Sequence, residues 1–450
     1  MPDGDKTFHL LTLGCPKNEV DSDLLISILE REGWRMEKRP EDAGMLVVNT
    51  CSFIVPAVEE SVEAILELSD LKEEGERKLV VTGCLVSRYG ARSLASLLPE
   101  VDLFVDLREY GRFAALIASL SGATCRALSA ARTHSSTLYR GYVYIKISEG
   151  CGRGCTYCAI PGIRGPLRSR TSEDIFDEGR FWLQRGAYEL VLIGQDTTDY
   201  GLDLYGKPSL PGLLENMVQM EGDYRIRVMY MHPEGVDDEM LRAMRHPSIC
   251  SYLDLPFQHV CAEMLRKMGR NGDVETHRRL LDLARERLES VAIRATFMVG
   301  FPGETRGFFD ALYGFIAQQR FDWLGLFSYS QEEGTAALSL GKGVEGHEAG
   351  KRLNELRILQ EEIMRENALA MVGRELEVLV EGRSLEAPGF WEGRSCREAP
   401  EIDGVIFLPD GEGTYAGAVR EVKITATEGI DLVGVIQAGQ GQDQSDKGRG

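Results

Sequence analysis

The chain has 450 residues, with 51 Lys plus Arg against 71 Asp plus Glu and a formal net charge of −20, which at about 150 residues per domain suggests about three domains. That acidity argues against a protein whose main task is gripping nucleic acid, which needs Lys and Arg to release counterions from phosphates, and 43% hydrophobic with 27% charged residues excludes a largely disordered chain. No run approaches the roughly 18 apolar residues of a membrane span, and the opening MPDGDKTFHL lacks a basic-then-apolar export signal, so a cytoplasmic location with no membrane partner is expected.

Up to about residue 120, short apolar runs alternate with helix-period segments. FHLLTLG leads to Cys15, MLVVNT to Cys51 and KLVVTG to Cys84, and VDLFVDL forms a fourth run. Between them, Val20, Leu24, Leu25, Ile28 and Leu29, then Val58, Val62, Ile65 and Leu66, recur at helical spacing. Strands alternating with helices predict a parallel α/β sheet with its ligands at the carboxyl ends of the strands. Cys15, Cys51 and Cys84 lie 36 and 33 residues apart, yet each follows a strand beside Gly14, Asn49 or Gly83. Buried cysteines are often only small hydrophobes, but three in equivalent positions are expected to converge on one sheet edge.

Residues 141–148, 188–194, 224–231, 251–257, 292–300 and 322–330 are six further strand candidates at helix-length intervals. They predict a partial (β/α)6 barrel, TIM-like, with its site at the carboxyl ends of its strands. A long amphipathic helix over 347–372 leads out of it. Residues 375–383, 404–408, 414–429 and 431–436 then form short strands between Gly-rich turns, the pattern of a small antiparallel β-barrel. The polar end, 439–450, is expected to be disordered.

The densest chemistry is ISEGCGRGCTYCAIPGIRGPLRSR, in which Cys151, Cys155 and Cys158 form CxxxCxxC directly after the first barrel strand. Thiolates suit iron-sulfur iron, and Gly150, Gly152 and Gly154 would let a tight loop turn three sulfurs inward. Three ligands on a four-iron cluster leave one iron open. Zinc is the rival reading; it needs a fourth protein ligand, and the next His in the chain is His232.

CxxxCxxC at the end of a first barrel strand resembles the radical S-adenosylmethionine superfamily. Within it the whole chain, from about residue 6 to 437, is similar to the methylthiotransferases: an amino-terminal domain with a three-cysteine auxiliary cluster (6–120), a radical core (137–367) and a small TRAM barrel (370–438). LGCPKNEVDSD, NTCSFIVPAVEES, GCLVSRY, LIGQDTTDYG, YLDLPFQH and TFMVGFPGET resemble the RimO branch, which methylthiolates an aspartate of small-ribosomal-subunit protein twelve. Pro16 and Lys17 stand where the tRNA-modifying MiaB branch more usually carries GCQMN. Ser52, Ala159 and Gly194 depart from the pattern, where Gly, Ile and Ala are expected, and remove no ligand.

The resemblance implies two 4Fe-4S clusters, on Cys15, Cys51 and Cys84 and on Cys151, Cys155 and Cys158, and two molecules of S-adenosylmethionine. One methylates sulfur associated with the first cluster and the other yields a radical that activates the aspartate β carbon. The substrate carbon must then lie between the sites, so the amino-terminal sheet is expected to cover the open end of the barrel. Implied partners are the ribosomal protein, a reduced flavodoxin-like or ferredoxin-like electron donor and a sulfur donor.

Gln195 and Asp196, ending the second barrel strand, are candidates to grip the cofactor's methionine or ribose. Arg164, Arg168 and Arg170 read as surface residues, with pairing to a carboxylate of cofactor or substrate as the alternative, His232 and His259 as satisfied loop or core residues, and Cys125, Cys250, Cys261 and Cys396 as structural. From 371 to 440, six Lys plus Arg oppose thirteen Asp plus Glu, an excess that suits a basic protein better than tRNA. A tRNA methylthiotransferase and a non-catalytic iron-sulfur protein are the competing readings; electron carriers usually ligate each cluster with four cysteines.

Overall fold

The computed structural model describes residues 6–73, 77–120, 140–411 and 414–437; Cys125 and the polar end lie outside them. Five parallel strands come first, β1 (Thr7–Thr12), β2 (Arg35–Met36), β3 (Met45–Thr50), β4 (Lys78–Gly83) and β5 (Leu103–Val105), in the order β2-β1-β3-β4-β5. The central strands are apolar on both faces because both are covered. Met45, Val47 and Val80 meet Leu25, Ile28 and Leu29 of helix α1 (Pro16–Arg31), while Leu46, Val48 and Val81 meet Ile65 and Leu68 of α2 (Val55–Glu73). The edge strand β2, two exposed residues, has no apolar run to announce it.

Helix α1 is covered twice. Its apolar stripe faces the sheet, and its polar face, with Lys17, Asn18, Asp21 and Ser22, is also buried. Val20 turns away from the sheet and packs with Tyr144 and Tyr230 of the next unit.

That unit contains β6 (Tyr142–Lys146), the short pair β7 (Ser148–Glu149) and β8 (Arg168–Ser169), then β9 (Glu189–Ile193), β10 (Arg225–Val228), β11 (Tyr252–Gln258), β12 (Ala292–Val299) and β13 (Trp323–Ser328). All six expected strands occur. They form two parallel sheets of three, β6-β9-β10 and β11-β12-β13, rather than one continuous wall. A bridge from Ile226 to Ile249 joins the halves, and the Met231 N–H donates to Asp254 O at 2.9 Å. Beyond Val228 the chain turns through Tyr230 at φ +60°, which ends ordinary pairing there.

Helix Gly346–Ala370 leads to a closed five-strand barrel, β14 (Glu375–Arg383), β15 (Phe390–Arg394), β16 (Ile406–Pro409), β17 (Val419–Glu428) and β18 (Asp431–Ile436). Strand β15, FWEGR, is missing from the sequence reading because its charged residues break the apolar alternation. One pair, β16 with β18, is parallel, so the barrel is not wholly antiparallel.

This barrel closes the amino-terminal mouth of the six-strand unit. Glu189, fully buried at the start of β9, is gripped by Arg225 Nη2 at 2.8 Å, Arg227 Nε at 2.6 Å and Arg394 Nη2 at 3.1 Å, the last from β15. Burial alone would raise the Glu189 carboxyl, but the three guanidinium groups hold it well below the usual carboxylate range. Tyr252 Oη donates to Asp403 Oδ2 at 2.6 Å and Trp323 Nε1 to Arg397 O at 2.7 Å. Cys250 and Cys396 pack in one apolar cluster across the same seam.

All three units meet at Glu19 of α1 and Glu401, whose Oε1 accepts from Arg140 Nη1 at 2.8 Å and Tyr142 Oη at 3.1 Å. Burial and the neighbouring Glu401 push the Glu19 carboxyl up to about 7. The native state therefore holds a proton there that the unfolded chain releases above about pH 4.5, so this contribution to stability falls as pH rises from about 4.5 through 7. Partial exposure limits the effect to roughly 1–2 kcal/mol. The apparent Tm is expected to drop between pH 5 and 8, and Glu19→Gln should remove part of that drop in a thermal melt.

Among the described residues no helix is long and apolar enough to cross a membrane.

Candidate functional site

The strand ends line up as the alternation predicts. Thr12 pairs with Asn49, Asn49 with Thr82 and Thr50 with Gly83, which brings Cys15, Cys51 and Cys84 to one edge. Cys15 caps α1, Cys51 follows β3 directly, and Cys84 opens the helix Cys84–Tyr89. The turns require glycine. A Cβ on Gly14 (φ +94°) would lie 2.7 Å from Cys51 Cβ and 2.9 Å from its sulfur, and one on Gly83 (φ +96°) 2.6 Å from Thr50 N.

Asn18 ties this edge together. Its Nδ2 donates to Leu13 O at 2.7 Å and Thr50 O at 3.0 Å. Burial raises the Cys51 thiol and pushes the Cys84 thiol up to about 12, so these sulfurs ionise readily only where a metal takes the place of the proton.

The second trio follows β7. Gly150 (φ +74°) is forced, since a Cβ there would come within 2.5 Å of Gly165 O, whereas Gly152 and Gly154 have open space; one glycine, not three, shapes the loop. The loop is pinned by Cys151 N–H to Gly165 O at 3.2 Å, Thr156 N–H to Met268 O at 3.0 Å and Cys158 N–H to Cys155 O at 3.1 Å. Burial raises the Cys151 thiol and pushes the Cys158 thiol up to about 12.

Neither trio, among the described residues, closes with His, Asp or Glu around a single metal ion. Cys51 and Cys84 are buried and Cys15, Cys151, Cys155 and Cys158 half-buried, and three thiols on turns that exclude a Cβ, with no fourth protein ligand beside them among the described residues, fit a four-iron cluster with one iron left open.

Arg164 joins the two sites. The structure overturns its reading as a surface residue: it is buried, with Nη2 2.6 Å from Asn18 Oδ1 and 3.4 Å from Cys84 Sγ, and Nη1 3.0 Å from both Asp21 Oδ2 and Glu149 Oε1. Lys146 pairs with the same two carboxylates. Arg170 is likewise buried, against Glu178 at 2.5 Å and Asp174 at 2.7 Å; only Arg168 is exposed. A second link is Arg88, which reaches Ser52 O at 2.6 Å and Glu332 Oε2, beyond β13, at 2.9 Å. The cysteine edge of the sheet thus covers the open, carboxyl end of the six-strand unit.

Gln195 and Asp196 behave differently. Asp196 Oδ2 accepts from Arg153 Nε at 2.8 Å and its Oδ1 from Thr198 Oγ1 at 2.6 Å. It thereby anchors the cysteine loop through Arg153, which also binds Asp199 at 2.7 Å. Gln195 Nε2 donates to Glu149 Oε1 at 2.9 Å, leaving its Oε1 buried without a partner. Gly194 leaves room for Ser148, whose Oγ would lie 2.7 Å from a Cβ there.

His232 Nδ1 accepts from Glu234 N–H at 3.3 Å and His259 Nδ1 from Cys261 N–H at 3.0 Å. Burial pushes both imidazoles down to about 4, so they are neutral at pH 7.

Sequence reasoning passed over Lys17 except as a branch marker. The residue is only 8% exposed, and its Nζ lies 2.9 Å from the centroid of the Tyr230 ring. Burial pushes it down to about 8.

Three family models match in order: the family described as Uncharacterized protein family UPF0004 over residues 7–106, the Radical SAM superfamily over 145–316 and the TRAM domain over 372–436. The chain is 42% identical over 441 residues to the ribosomal protein uS12 methylthiotransferase RimO of Anaeromyxobacter sp. (strain Fw109-5), covering 96% of this chain and 93% of the relative. It is 42% identical over 437 residues to the RimO protein of Heliobacterium modesticaldum, covering 95% and 94%. Among solved structures, the radical S-adenosylmethionine methyltransferase TsrM of Kitasatospora setae, with cobalamin and a 4Fe-4S cluster bound, shares the fold at TM-score 0.54 and 16% identity, covering 92% and 84%. The chain therefore belongs to the RimO family of the radical S-adenosylmethionine superfamily, and is a methylthiotransferase whose cofactors are 4Fe-4S clusters and S-adenosylmethionine.

Proposed function

We propose that the protein replaces a hydrogen on the β carbon of an aspartate in small-ribosomal-subunit protein twelve with a methylthio group, using two molecules of S-adenosylmethionine. In this reading Cys15, Cys51 and Cys84 hold one 4Fe-4S cluster and Cys151, Cys155 and Cys158 the other, in units spanning 6–120, 137–367 and 370–438. The observation that carries it is Arg164, whose guanidinium touches Cys84 of the first trio and Glu149, two residues before Cys151 of the second.

The β C–H bond is neither acidic nor electrophilic, so side-chain acid–base chemistry offers no route. When bound, the cofactors supply one-electron chemistry able to break that bond and sulfur to replace it. The chain's own residues orient and enclose. Arg153 holds the cysteine loop through Asp196 and Asp199, and the Arg88–Glu332 pair, less than a tenth exposed on either side, keeps the sheet edge over the barrel and excludes water. The unpartnered Gln195 Oε1 is suited to accept a hydrogen bond from the cofactor's ammonium group.

A reduced flavodoxin-like or ferredoxin-like protein and a sulfur donor are the further partners, met in the cytoplasm. The acidic carboxyl-terminal barrel supports a basic protein as substrate over tRNA. Mass spectrometry of a strain lacking the chain tests the choice. The ribosomal protein should lose a modification of about 46 Da and tRNA should keep its own; loss from tRNA alone would reject the reading.

A further inference from the structure

Beneath the sheet edge, the charged side chains beside the first trio pair directly with one another, with one exception. Asp21 and Glu149 are matched by Lys146 and Arg164, each in direct contact. Lys17 is buried beside them, and among the described residues no carboxylate lies within ion-pair distance of its Nζ and no hydrogen-bond acceptor receives it. Its one contact is the face of Tyr230 at the carboxyl end of β10. Asp254 is engaged elsewhere, by the Tyr230 N–H at 2.8 Å and by Arg294 at 4.0 Å.

An ammonium that keeps only a small part of its surface open and has no carboxylate beside it is costly to bury, and a cation–π contact repays only part of that cost. Folding alone therefore favours an apolar residue here. Such a group is retained where a ligand completes it.

We propose that Lys17 is the anchor for the side-chain carboxylate of the residue being modified. The inference rests on the reading above that the substrate residue is an aspartate. Lys17 lies two residues from Cys15 and against the barrel strand end, so an anion on its Nζ is held between the trios. A carboxylate bound there leaves the adjacent β carbon free to react and fixes the residue that carries it. Asparagine, neutral and of the same shape, would leave the ammonium unpaired and be rejected.

The test uses the reconstituted holoenzyme and two synthetic peptides carrying the segment of the ribosomal protein around the modified residue, one with the aspartate and one with asparagine in its place. Wild-type protein should bind the aspartate peptide at least about 30-fold more tightly, as expected for a buried charge pair. In Lys17→Met that preference should collapse, the asparagine peptide binding as before, with iron content, S-adenosylmethionine affinity and apparent Tm no lower than wild type.

An equal loss for both peptides, or a lower Tm in the variant, would mean that Lys17 serves the fold or balances cluster charge, and would overturn the inference. Weakened binding of S-adenosylmethionine with unchanged peptide preference would assign the carboxylate to the cofactor instead and equally overturn it. A variant that keeps the preference, in an enzyme that methylthiolates the aspartate peptide, sinks this inference alone. A wild-type enzyme that ignores both peptides and modifies tRNA sinks the aspartate reading with it.

Discussion

Replacing Cys15, Cys51 and Cys84 together by alanine is expected to lower the iron content of anaerobically reconstituted protein from about eight to about four per chain. Formation of the methylthio product should fall below detection, while reductive cleavage of S-adenosylmethionine at the other trio persists. The three side chains are small and stand at strand ends whose register is set by β1, β3 and β4. Alanine there leaves the sheet intact, and the loss should be chemical rather than structural. Iron assay, EPR and product analysis on one preparation decide the matter: unchanged iron, or full methylthiolation, would remove the auxiliary site from the account. Serine at Cys151, Cys155 and Cys158 should do the reverse, abolishing cleavage as well as product.

The largest effect on stability is expected at Glu189. Its carboxylate faces Arg225, Arg227 and Arg394, all buried, and Glu381 balances only Arg394. Glu189→Gln would leave buried guanidinium groups without a counter-charge, a change worth about 3–5 kcal/mol. Arg394 belongs to the carboxyl-terminal barrel, so the same variant should loosen that barrel from the six-strand unit and expose the seam to limited proteolysis. Breaking the exposed Arg383–Asp410 pair is the control and should cost about 0.5 kcal/mol or less. Equal protease resistance and Tm in Glu189→Gln and wild type would show that the seam holds without this cluster.

Sequence patterning works where local order suffices. The apolar runs of β3, β4 and β9 announce strands covered on both faces, and the alternation of strand and helix places Cys51 and Cys84 at strand ends. It fails where charge interrupts the pattern, as in β15, and where an edge strand has nothing to bury, as in β2. Arg164 and Arg170 look like surface residues because Arg usually is one, and nothing within a few positions of Arg164 reveals Asp21 or Asn18, more than 140 residues earlier. Cys250 and Cys396 share no spacing because their contact crosses from one unit to another.

Local sequence by itself determined the two thiol trios, the glycine turns that present them, and the order of parallel sheet, six-strand unit and small barrel, since each depends on residues within one strand and the turn after it. Tertiary structure alone decided that α1 is covered on its polar face as well, and from that follow the buried Asp21, the Arg164 bridge to Cys84 and the unpaired Lys17. The reason is electrostatic. A charged side chain in a sequence carries the same pattern whether it meets water or protein, and only the packing of distant segments settles which of the two it meets and whether a counter-charge is waiting.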